Sequence, residues 1–592
     1  MGNPAPRFLL LLGLLVLALC AAYAALVLRS ATWAEARALD LIFPFYGTPI
    51  RAFTPAEMAN ARNGLGVAAL LLAAAGAGMT FSAAARRELA AAGQEIRQAA
   101  ADLWGEVSTL GRAHRLPALA MLGFLTVLRL YFSVFNPEYD DAVSYEVFVS
   151  KGLLATSAYY PIPNNHVFSN TISLLFYQLS PGFWWSMRLP VLLISTAATV
   201  FLFAGLRRLA GFRVAAVATG LFGSLQLSLY HAGVGRGYWL VIFLAGVVFF
   251  STLKLAEGRS RQRAAWAGLV LAGALGCYTV PPFVYVLASG FSWLGLAFVA
   301  RRQWARLLHL AGAGALIGLA AVTLYAPLLF VSGLNKLVGN GYVSALQPEV
   351  FWPGLPRYLW FNEGFLAGQR TLGAFLTMPV LALVGRLFYL SRQGRLPTDQ
   401  AHRLRQVGGP ALWFVGLPYA LIVGQRVFPP ERVLLYKAFF FFILLALVLD
   451  WVLRQWPQQR RLRQSLTVLA VLFVSYGTYS VVRVNPAARG TNAAYHAGLQ
   501  WLATQPRGPV LVPEPTHNLF FRFYAHSEMR HRPWRIDHDQ LGNTRYHYVV
   551  AFPNKRGFFQ PQFDFPPAYR NAEVEIYAVP KNYPLATKAW RH

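Results

Sequence analysis

The stretch FLLLLGLLVLALCAAYAALVL, residues 8–28, contains no charged side chain. An apolar run of about 17–25 residues is long enough to cross a bilayer core of about 30 Å as an α-helix. This run is longer than the apolar part of a secretory signal and lacks a convincing small-residue cleavage site. In addition, Leu19 before Cys20 does not fit a lipoprotein box. We therefore expect residues 8–28 to remain in the protein as a membrane span.

Similar apolar runs recur along the chain as far as residue 482. They lie at residues 64–81, 116–134, 189–206, 214–230, 238–255, 266–280, 283–300, 307–331, 372–390, 411–427, 433–453 and 466–482. Together with residues 8–28, they predict a mainly α-helical, polytopic membrane protein with about thirteen transmembrane helices.

The overall composition agrees with a membrane protein. Of the 592 residues, 56% are hydrophobic and 13% are charged, about half of the roughly 25% charge that soluble domains carry. The chain has 53 basic and 24 acidic residues, a net charge of +29. The basic residues lie mostly in short gaps between apolar runs, as membrane topology requires, so we predict no nucleic-acid partner. Cys20 and Cys277 both lie inside apolar runs, which excludes a disulfide framework.

Alternate gaps between the runs are short and basic, which predicts a cytoplasmic position for them. These gaps are residues 207–213, 254–263, 301–306, 392–405 and 454–463. The amphipathic stretch 84–115 falls on the same side and is expected to lie on the membrane surface. The long segments 135–188 and 332–370 fall on the opposite side, as does everything after residue 482. Within the first of these segments, residues 167–179 predict an amphipathic helix at the membrane interface. The N-terminus is therefore expected in the cytoplasm and the C-terminus outside it.

The last stretch, residues 483–592, has no spanning run and is richer in Pro, His and charge. Residues 509–513, 546–552 and 574–579 are typical of strands, and residues 493–504 of a helix. We expect a small α/β extracytoplasmic domain here. The chain is thus predicted to have three parts: an N-terminal part at residues 1–115, a transmembrane core at residues 116–482, and this domain.

Seven of the twelve histidines lie in this last stretch, and five of them fall within residues 517–547: His517, His526, His531, His538 and His547. Imidazole is a suitable zinc ligand, but the spacings match no fixed ligand pattern. A divalent metal is conceivable and is not predicted.

Acidic residues are scarce, and four of the 24 lie within nine positions. They are Glu138, Asp140, Asp141 and Glu146, and the next acid in the chain is Glu257. Negative charge beside the bilayer is costly, so it needs a partner or a task. One carboxylate here could act as a general base. Alternatively, Asp140 and Asp141 could cap a helix over residues 142–154. The residues alone leave both interpretations open.

Several cations fall on the same predicted outer side, against the usual bias. His166 follows Asn164-Asn165, Arg236 lies between two glycines at the start of a span, and Arg432 follows Pro429-Pro430-Glu431. An arginine matches a phosphate with two parallel donors, although a single interfacial arginine more often only reaches toward water. As a set, these residues favour a site that holds an anionic lipid head group next to a base.

These motifs resemble those of the GT-C superfamily of integral-membrane glycosyltransferases, such as aminoarabinose transferases, protein O-mannosyltransferases and Rgt-type enzymes. YDDAVSY at residues 139–145 resembles the acidic motif of the family's first outer loop, and residues 160–166 resemble the second half of that loop. Arg188-Leu189-Pro190, Arg236-Gly237-Tyr238 and Arg432 resemble later family motifs. The sequence differs from the family's motifs at two places. Asp141 stands where the family more often has Glu, and His166 is not followed by Pro-Pro-Leu.

The resemblance implies a polyprenyl-phosphate-linked sugar as donor and attack on its anomeric carbon with inversion. Asp140 would be the general base, and Asp141 would support it. His166, Arg236 and Arg432 would hold the donor phosphate. The remaining residues of these motifs that we assign to substrate contacts are Tyr145, Glu146, Asn165 and Tyr238. Trp352, Trp360 and Glu363 could border the sugar cavity, although tryptophan is common at membrane interfaces.

The acceptor could be a glycolipid, a polysaccharide or a protein, and the expected location is a bacterial plasma membrane. We find no nucleotide or cofactor motif. The alternative functions are a transporter or lipid flippase, and a ligase or polymerase of surface glycans. A transporter would favour charges near the middle of the bilayer, whereas the notable charges here lie at the outer ends of predicted spans.

Overall fold

The computed structural model describes residues 6–43, 50–258, 262–339, 344–369, 373–529, 534–539, 541, 544–553 and 563–581. The helices are α1 (Pro6–Arg29), α2 (Trp33–Arg37), α3 (Pro55–Thr80), α4 (Ala83–Ser108), α5 (Arg112–Ser133), α6 (Tyr139–Val143), α7 (Gly152–Ala158), α8 (Val167–Leu179), α9 (Leu189–Ala210), α10 (Phe212–Ser224), α11 (Gln226–Gly233), α12 (Tyr238–Glu257), α13 (Arg263–Thr279), α14 (Val284–Ala300), α15 (Trp304–Val331), α16 (Leu334–Val338), α17 (Pro348–Ala367), α18 (Gly373–Arg392), α19 (Thr398–Arg403), α20 (Gly409–Gln425), α21 (Leu435–Gln455), α22 (Arg460–Ala503) and α23 (Pro515–Glu528). The strands are β1 (Val510–Leu511), β2 (Ile536–Asp537), β3 (Tyr548–Ala551), β4 (Tyr569–Arg570) and β5 (Glu575–Ala578).

The predicted fold class, a polytopic helical membrane protein, is confirmed. Among the described residues, 11 helices are long and apolar enough to cross a membrane, or 12 if α10 and α11, bent by 67° at their junction, form one span. The expected number was about thirteen. The predicted run at residues 266–280 forms α13, whose 17 residues reach about 26 Å at 1.5 Å per residue. That helix is slightly short for a core of about 30 Å.

The basic connections predicted to share one face meet at one end of the bundle, which we call the basic end. Helix α4 crosses this end, and its carboxylates pair with arginines of the connections. Asp102 lies 2.6 Å from Arg208, Glu106 lies 3.0 Å from Arg207, and Glu95 lies 2.9 Å from Arg263. Residues 259–261 of the second connection lie outside the described residues.

The opposite end carries the four clustered acids, and we call it the acid end. Here the predicted interfacial helix at residues 167–179 forms as α8. The single helix expected over residues 142–154 is wrong, because it is divided into α6, a π-helical turn, a 3₁₀ turn and α7. Gly152 has a φ of 88°, which helical backbone does not allow, so one regular helix cannot continue through it.

The C-terminal region forms a five-stranded mixed sheet at the acid end, in the order β2-β1-β3-β5-β4. Strand β1 is parallel to β2 and β3, whereas β5 is antiparallel to β3 and β4. Strands β1, β3 and β5 lie within the three predicted strands. The expected helix at residues 493–504 is the end of α22, which also contains the last span. The division of the chain at residue 482 thus falls within a helix and stays a prediction.

A shared apolar core fixes the C-terminal region to the acid end. Helix α23 contributes Phe520 and Phe523, and the segment between α5 and α9 contributes Val143, Tyr145 and Phe148. The rings of Tyr145 and Phe523 lie 5.3 Å apart, edge to face. The four clustered acids therefore lie between the membrane bundle and the sheet.

Candidate active site

Asp141 is fully buried and its carboxylate is surrounded by donors. Arg188 Nη2 donates to Oδ2 at 2.6 Å, the backbone N–H of Gly235 donates to Oδ1 at 2.6 Å, and the backbone N–H of Glu138 donates to Oδ2 at 3.2 Å. The last bond closes a capping box at the start of α6. Asp141 therefore joins α6, the start of α9 and the turn before α12. This geometry gives it a positioning role next to Asp140.

Asp140 is the neighbouring carboxylate and has a different environment. Its side chain is 39% exposed, and its Oδ2 lies 3.4 Å from Nη1 of Arg236, whose own side chain is only 3% exposed. Among the described residues, Nε and Nη1 of Arg236 have no hydrogen-bond partner. A buried guanidinium with free donors can receive an anion, because buried donors without a partner are costly. The pair thus combines an accessible base with an incompletely bonded cation.

The short turn GRG, residues 235–237, brings Arg236 into the site. A side chain at residue 235 would lie 2.9 Å from Met187 Cβ and 3.2 Å from Asp141 Oδ1. A side chain at residue 237 would lie 2.9 Å from Ser169 Cβ. Both glycines are therefore required for the close approach of this turn to α8 and to the acid cluster.

His166 is buried between two donors of the same turn. The backbone N–H of Gly237 donates to Nδ1 at 3.1 Å, and Nη2 of Arg236 lies 3.0 Å from Nε2. Burial, followed by the charge of Arg236 and a smaller effect of Arg432, holds the pKa of His166 well below its usual range. The imidazole is thus neutral at physiological pH. A neutral ring carries one N–H, so it cannot accept from both neighbours at once.

Tyr238 and Arg432 complete the surroundings of His166. The ring of Tyr238 lies 4.7 Å from the imidazole, edge to face, and Arg236 lies 5.8 Å from the centre of the Tyr238 ring. Arg432 lies in the short turn that precedes α21, and its charge influences His166. The three residues predicted to hold the donor phosphate, His166, Arg236 and Arg432, therefore share one region with Asp140.

Three predicted substrate contacts are instead occupied by protein partners. The hydroxyl of Tyr145 donates to the carbonyl of Pro181 at 2.8 Å. The amide of Asn165 donates to the carbonyls of Thr156 and Tyr159. These bonds hold the first outer segment together. Contacts of Tyr145, Glu146 and Asn165 with a substrate stay predictions.

Glu146 is fully buried among three basic side chains, two of them from α23. Arg522 Nη2 lies 2.8 Å from Oε1, His526 Nδ1 lies 2.5 Å from Oε2, and Lys151 Nζ lies 3.1 Å from Oε1. Burial opposes ionisation, but Arg522, His526 and Lys151 outweigh it and hold the pKa of the Glu146 carboxyl well below its usual range. Glu146 therefore ties the C-terminal region to the segment that bears Asp140.

Sequence reasoning assigned no roles to Arg188, Gly235 and Arg522 in this arrangement. Arg188 was quoted only as part of a motif, although its position directly before a span that starts with Leu189-Pro190 could have marked it as a partner for a buried acid. Arg522 is 376 residues from Glu146, and nothing in the local sequence pairs them. His517 and His526, two members of the predicted histidine group, bond to the Glu573 carbonyl and to Glu146. His531 lies outside the described residues.

Comparison with known proteins gives a likeness in structure alone. No protein-family model matches the chain, and no curated protein matches it. Among solved structures, the chain is similar to ArnT from Cupriavidus metallidurans bound to undecaprenyl phosphate, with 15% sequence identity and a TM-score of 0.53 over 78% of this chain and 97% of that one. It is also similar to the same protein in the apo state, with 14% identity, a TM-score of 0.52 and the same coverage. At these identities the likeness shows a shared fold.

Proposed function

The chain has the fold of the GT-C membrane glycosyltransferases, and from that premise we propose that it transfers a sugar from a polyprenyl-phosphate donor to an acceptor nucleophile. The reaction takes place at the acid end, with inversion at the anomeric carbon. The structural neighbour ArnT was solved with undecaprenyl phosphate, which supports a lipid phosphate as the leaving group. The acid end then faces the outside of a bacterial plasma membrane, and the basic end faces the cytoplasm.

The observation that carries this proposal is the contrast between Asp140 and Asp141. Asp141 is saturated by three donors, whereas Asp140 is accessible and lies 3.4 Å from a buried arginine with free N–H groups. A base must reach the proton that it removes. Asp140 meets this requirement, and Asp141 holds the helix that presents it.

In the proposed reaction, an acceptor O–H or N–H gives its proton to the Asp140 carboxylate. The acceptor heteroatom forms a bond to the anomeric carbon as the bond from that carbon to the phosphate oxygen breaks. The electron pair of the broken bond leaves with the polyprenyl phosphate. Negative charge therefore grows on the phosphate, where Arg236 and Arg432 stabilise it.

The contact between His166 and Arg236 supports an anion at this position. If Nδ1 of His166 accepts from the Gly237 N–H, the ring proton is on Nε2 and faces a donor of Arg236. An anionic oxygen beside these two donors accepts a hydrogen bond from each and relieves their repulsion. A phosphate oxygen is well suited to this role because charge-assisted bonds are the stronger ones.

The test is sugar transfer in proteoliposomes from a radiolabelled polyprenyl-phosphate sugar to a panel of glycolipid, polysaccharide and peptide acceptors. We expect Asp140→Asn to abolish transfer while it retains donor binding. Asp102→Asn on α4 is the matched control, since it makes the same chemical change at the basic end. Arg236→Lys should raise the donor KM, because Lys cannot present two parallel donors.

The result that would overturn the proposal is full transfer activity of Asp140→Asn in a folded preparation. Protein-dependent movement of the labelled donor between leaflets, without transfer to any acceptor, would favour the flippase alternative instead.

A further inference from the structure

A cavity opens at the acid end, next to the turn that carries Arg432. Its volume is about 470 Å³, and it lies between α17 and the connection from α20 to α21. Its walls are formed by Gly354, Arg357, Tyr358, Phe361, Asn362, Phe365 and residues 428–431. Helix α17 belongs to the second long outer segment, which the reaction proposed above does not use.

One wall of this cavity is aromatic and rigid. The rings of Phe351 and Tyr358 each stack on Phe428, with centroids 4.8 and 4.7 Å apart. The Tyr358 hydroxyl donates to the carbonyl of Pro429 at 2.8 Å. These contacts fix the aromatic wall before any ligand binds. A preformed aromatic surface with a few polar groups is typical of small-molecule sites.

The floor presents a buried hydrogen-bond acceptor. Asn362 is 4% exposed, and its amide nitrogen donates to the Tyr419 hydroxyl at 2.7 Å. Its carbonyl oxygen Oδ1 has no hydrogen-bond partner within the described part of the chain. Most buried polar atoms in proteins are bonded, so an unpaired carbonyl in a cavity wall indicates a missing donor.

An ion pair behind the floor holds Asn362 in place. Lys437 is fully buried, its ammonium donates to the Tyr419 hydroxyl at 2.7 Å, and it pairs with Glu363. Thr377 donates to the other oxygen of Glu363 at 3.2 Å. Because the same Tyr419 hydroxyl accepts from Asn362, this network sets the direction of the Asn362 carbonyl. A network of this kind is rigid when its members are bonded.

The rim carries one charge of each sign, which limits what can bind. Arg357 and Glu431 both line the opening, so neither an anion nor a cation meets a favourable field at both edges. An isoprenoid chain would leave Oδ1 of Asn362 without a donor. A neutral ring with hydroxyl groups satisfies all of these conditions, because it stacks on the aromatic wall and donates to the carbonyl.

We propose that this cavity binds a neutral sugar ring of the acceptor, so that the acceptor is a glycan. This inference rests on the glycosyl transfer proposed above. Glu431 at the rim is followed directly by Arg432, which the reaction above uses to stabilise the donor phosphate. A glycan in this cavity therefore lies beside the turn that carries a donor-binding residue.

The experiment measures binding and transfer separately, on the full chain in nanodiscs. The probes are fluorescent lipids that carry a neutral mono- or disaccharide, together with a lipid-linked peptide of similar size. We expect a saccharide lipid to bind in the absence of donor. Asn362→Leu should weaken this binding at least tenfold and raise the acceptor KM without a change in the donor KM. Asn335→Leu on α16 is the matched control.

A rim variant keeps the test valid if Asn362→Leu fails to fold. Arg357→Ala changes an exposed side chain, and it should weaken the binding of the saccharide lipid severalfold, with Arg395→Ala at the basic end as control. The inference is overturned if no saccharide lipid binds, if neither variant weakens binding, or if the peptide lipid is bound and glycosylated instead. If the saccharide lipid binds and responds to the variants but no sugar is transferred from any donor, the proposed reaction fails and the binding site stands.

Discussion

Two regions of this molecule carry four carboxylates each, and they use them differently. On helix α4 at the basic end, Glu88, Glu95, Asp102 and Glu106 all pair with arginines of the connections between spans. At the acid end, Glu138, Asp140, Asp141 and Glu146 lie within nine positions. Charges of opposite sign meet in both regions, so pairing alone does not distinguish a structural region from a functional one.

Burial is what distinguishes them. The pair of Asp102 and Arg208 is 27% and 48% exposed, so water and salt screen it and it contributes little. Asp141 and Arg188 are 0% and 2% exposed, where each charge depends on the other. Asp140 combines the two situations, since an accessible carboxylate faces a buried arginine. Within the acid cluster, this difference in exposure separates Asp140 from Asp141.

The largest expected effect is on catalysis. Asp140→Asn should lower kcat by about 10²–10⁴, the usual contribution of a general base, while the thermal unfolding midpoint stays close to that of the wild type. Asp102→Asn should keep kcat within about twofold. Equal activity losses in the two variants would remove the distinction between the regions.

The next effect is on stability. Asp141→Asn should destabilise the fold by about 3–5 kcal/mol, because Arg188 keeps its charge in a buried site without a counter-charge. Denaturant unfolding in detergent measures this change. The double variant Asp141→Leu with Arg188→Met should lose less stability than the single one, since it removes both charges. A double variant that is less stable than the single one would contradict this explanation.

A smaller effect is a dependence on pH. The pKa of Glu146 is lower in the folded protein than its ordinary value of 4.5. The stabilisation is therefore complete above pH 4.5 and is lost as the pH falls below it, because the unfolded chain takes up the proton first. We expect the thermal unfolding midpoint of the wild type to decrease as the pH is lowered from 4.5. The midpoint of Glu146→Gln should decrease less steeply over the same pH range. Parallel curves for the two proteins would show that Glu146 does not control the contact with α23.

The smallest effect belongs to α4. Asp102→Asn should change the free energy of unfolding by less than about 1 kcal/mol, as is usual for exposed pairs. The difference should shrink further in 1 M salt, where the screening length is about 3 Å. A change as large as that of Asp141→Asn would mean that the basic end is as tightly coupled as the acid end.

The membrane-spanning helices could be predicted from the sequence, because each span depends only on an uninterrupted run of apolar residues. Most predicted apolar runs each lie on one helix, residues 214–230 are divided between α10 and α11, and α8 has the predicted bounds. Strands β2 and β4 were not predicted, because each contains two residues and, unlike β1 in the run PVLVP, neither lies in an apolar run. The division of the helix predicted over residues 142–154 depends on Gly152 and on packing against α23, which the local pattern does not contain.

The site could be predicted only in part, for a related reason. The cluster of acids and the basic residues His166, Arg236 and Arg432 stood out because acidic residues and outer basic residues are scarce in this chain. The different environments of Asp140 and Asp141 depend on Arg188, which is 47 residues away, and on the backbone N–H of Gly235. Adjacent residues in a helix point in different directions, so the distinction required the three-dimensional arrangement.

Helix α22 has a mechanical consequence. Its 44 residues form one helix of about 66 Å, which begins at the basic end. Near its C-terminal end, Leu499 and Leu502 pack in the same core as α23. The last membrane span and the support of the C-terminal sheet are therefore parts of the same helix. A thicker or thinner bilayer changes the tilt of such a helix. The contact of Arg522 with Glu146 therefore lies next to the end of a helix whose other end spans the membrane.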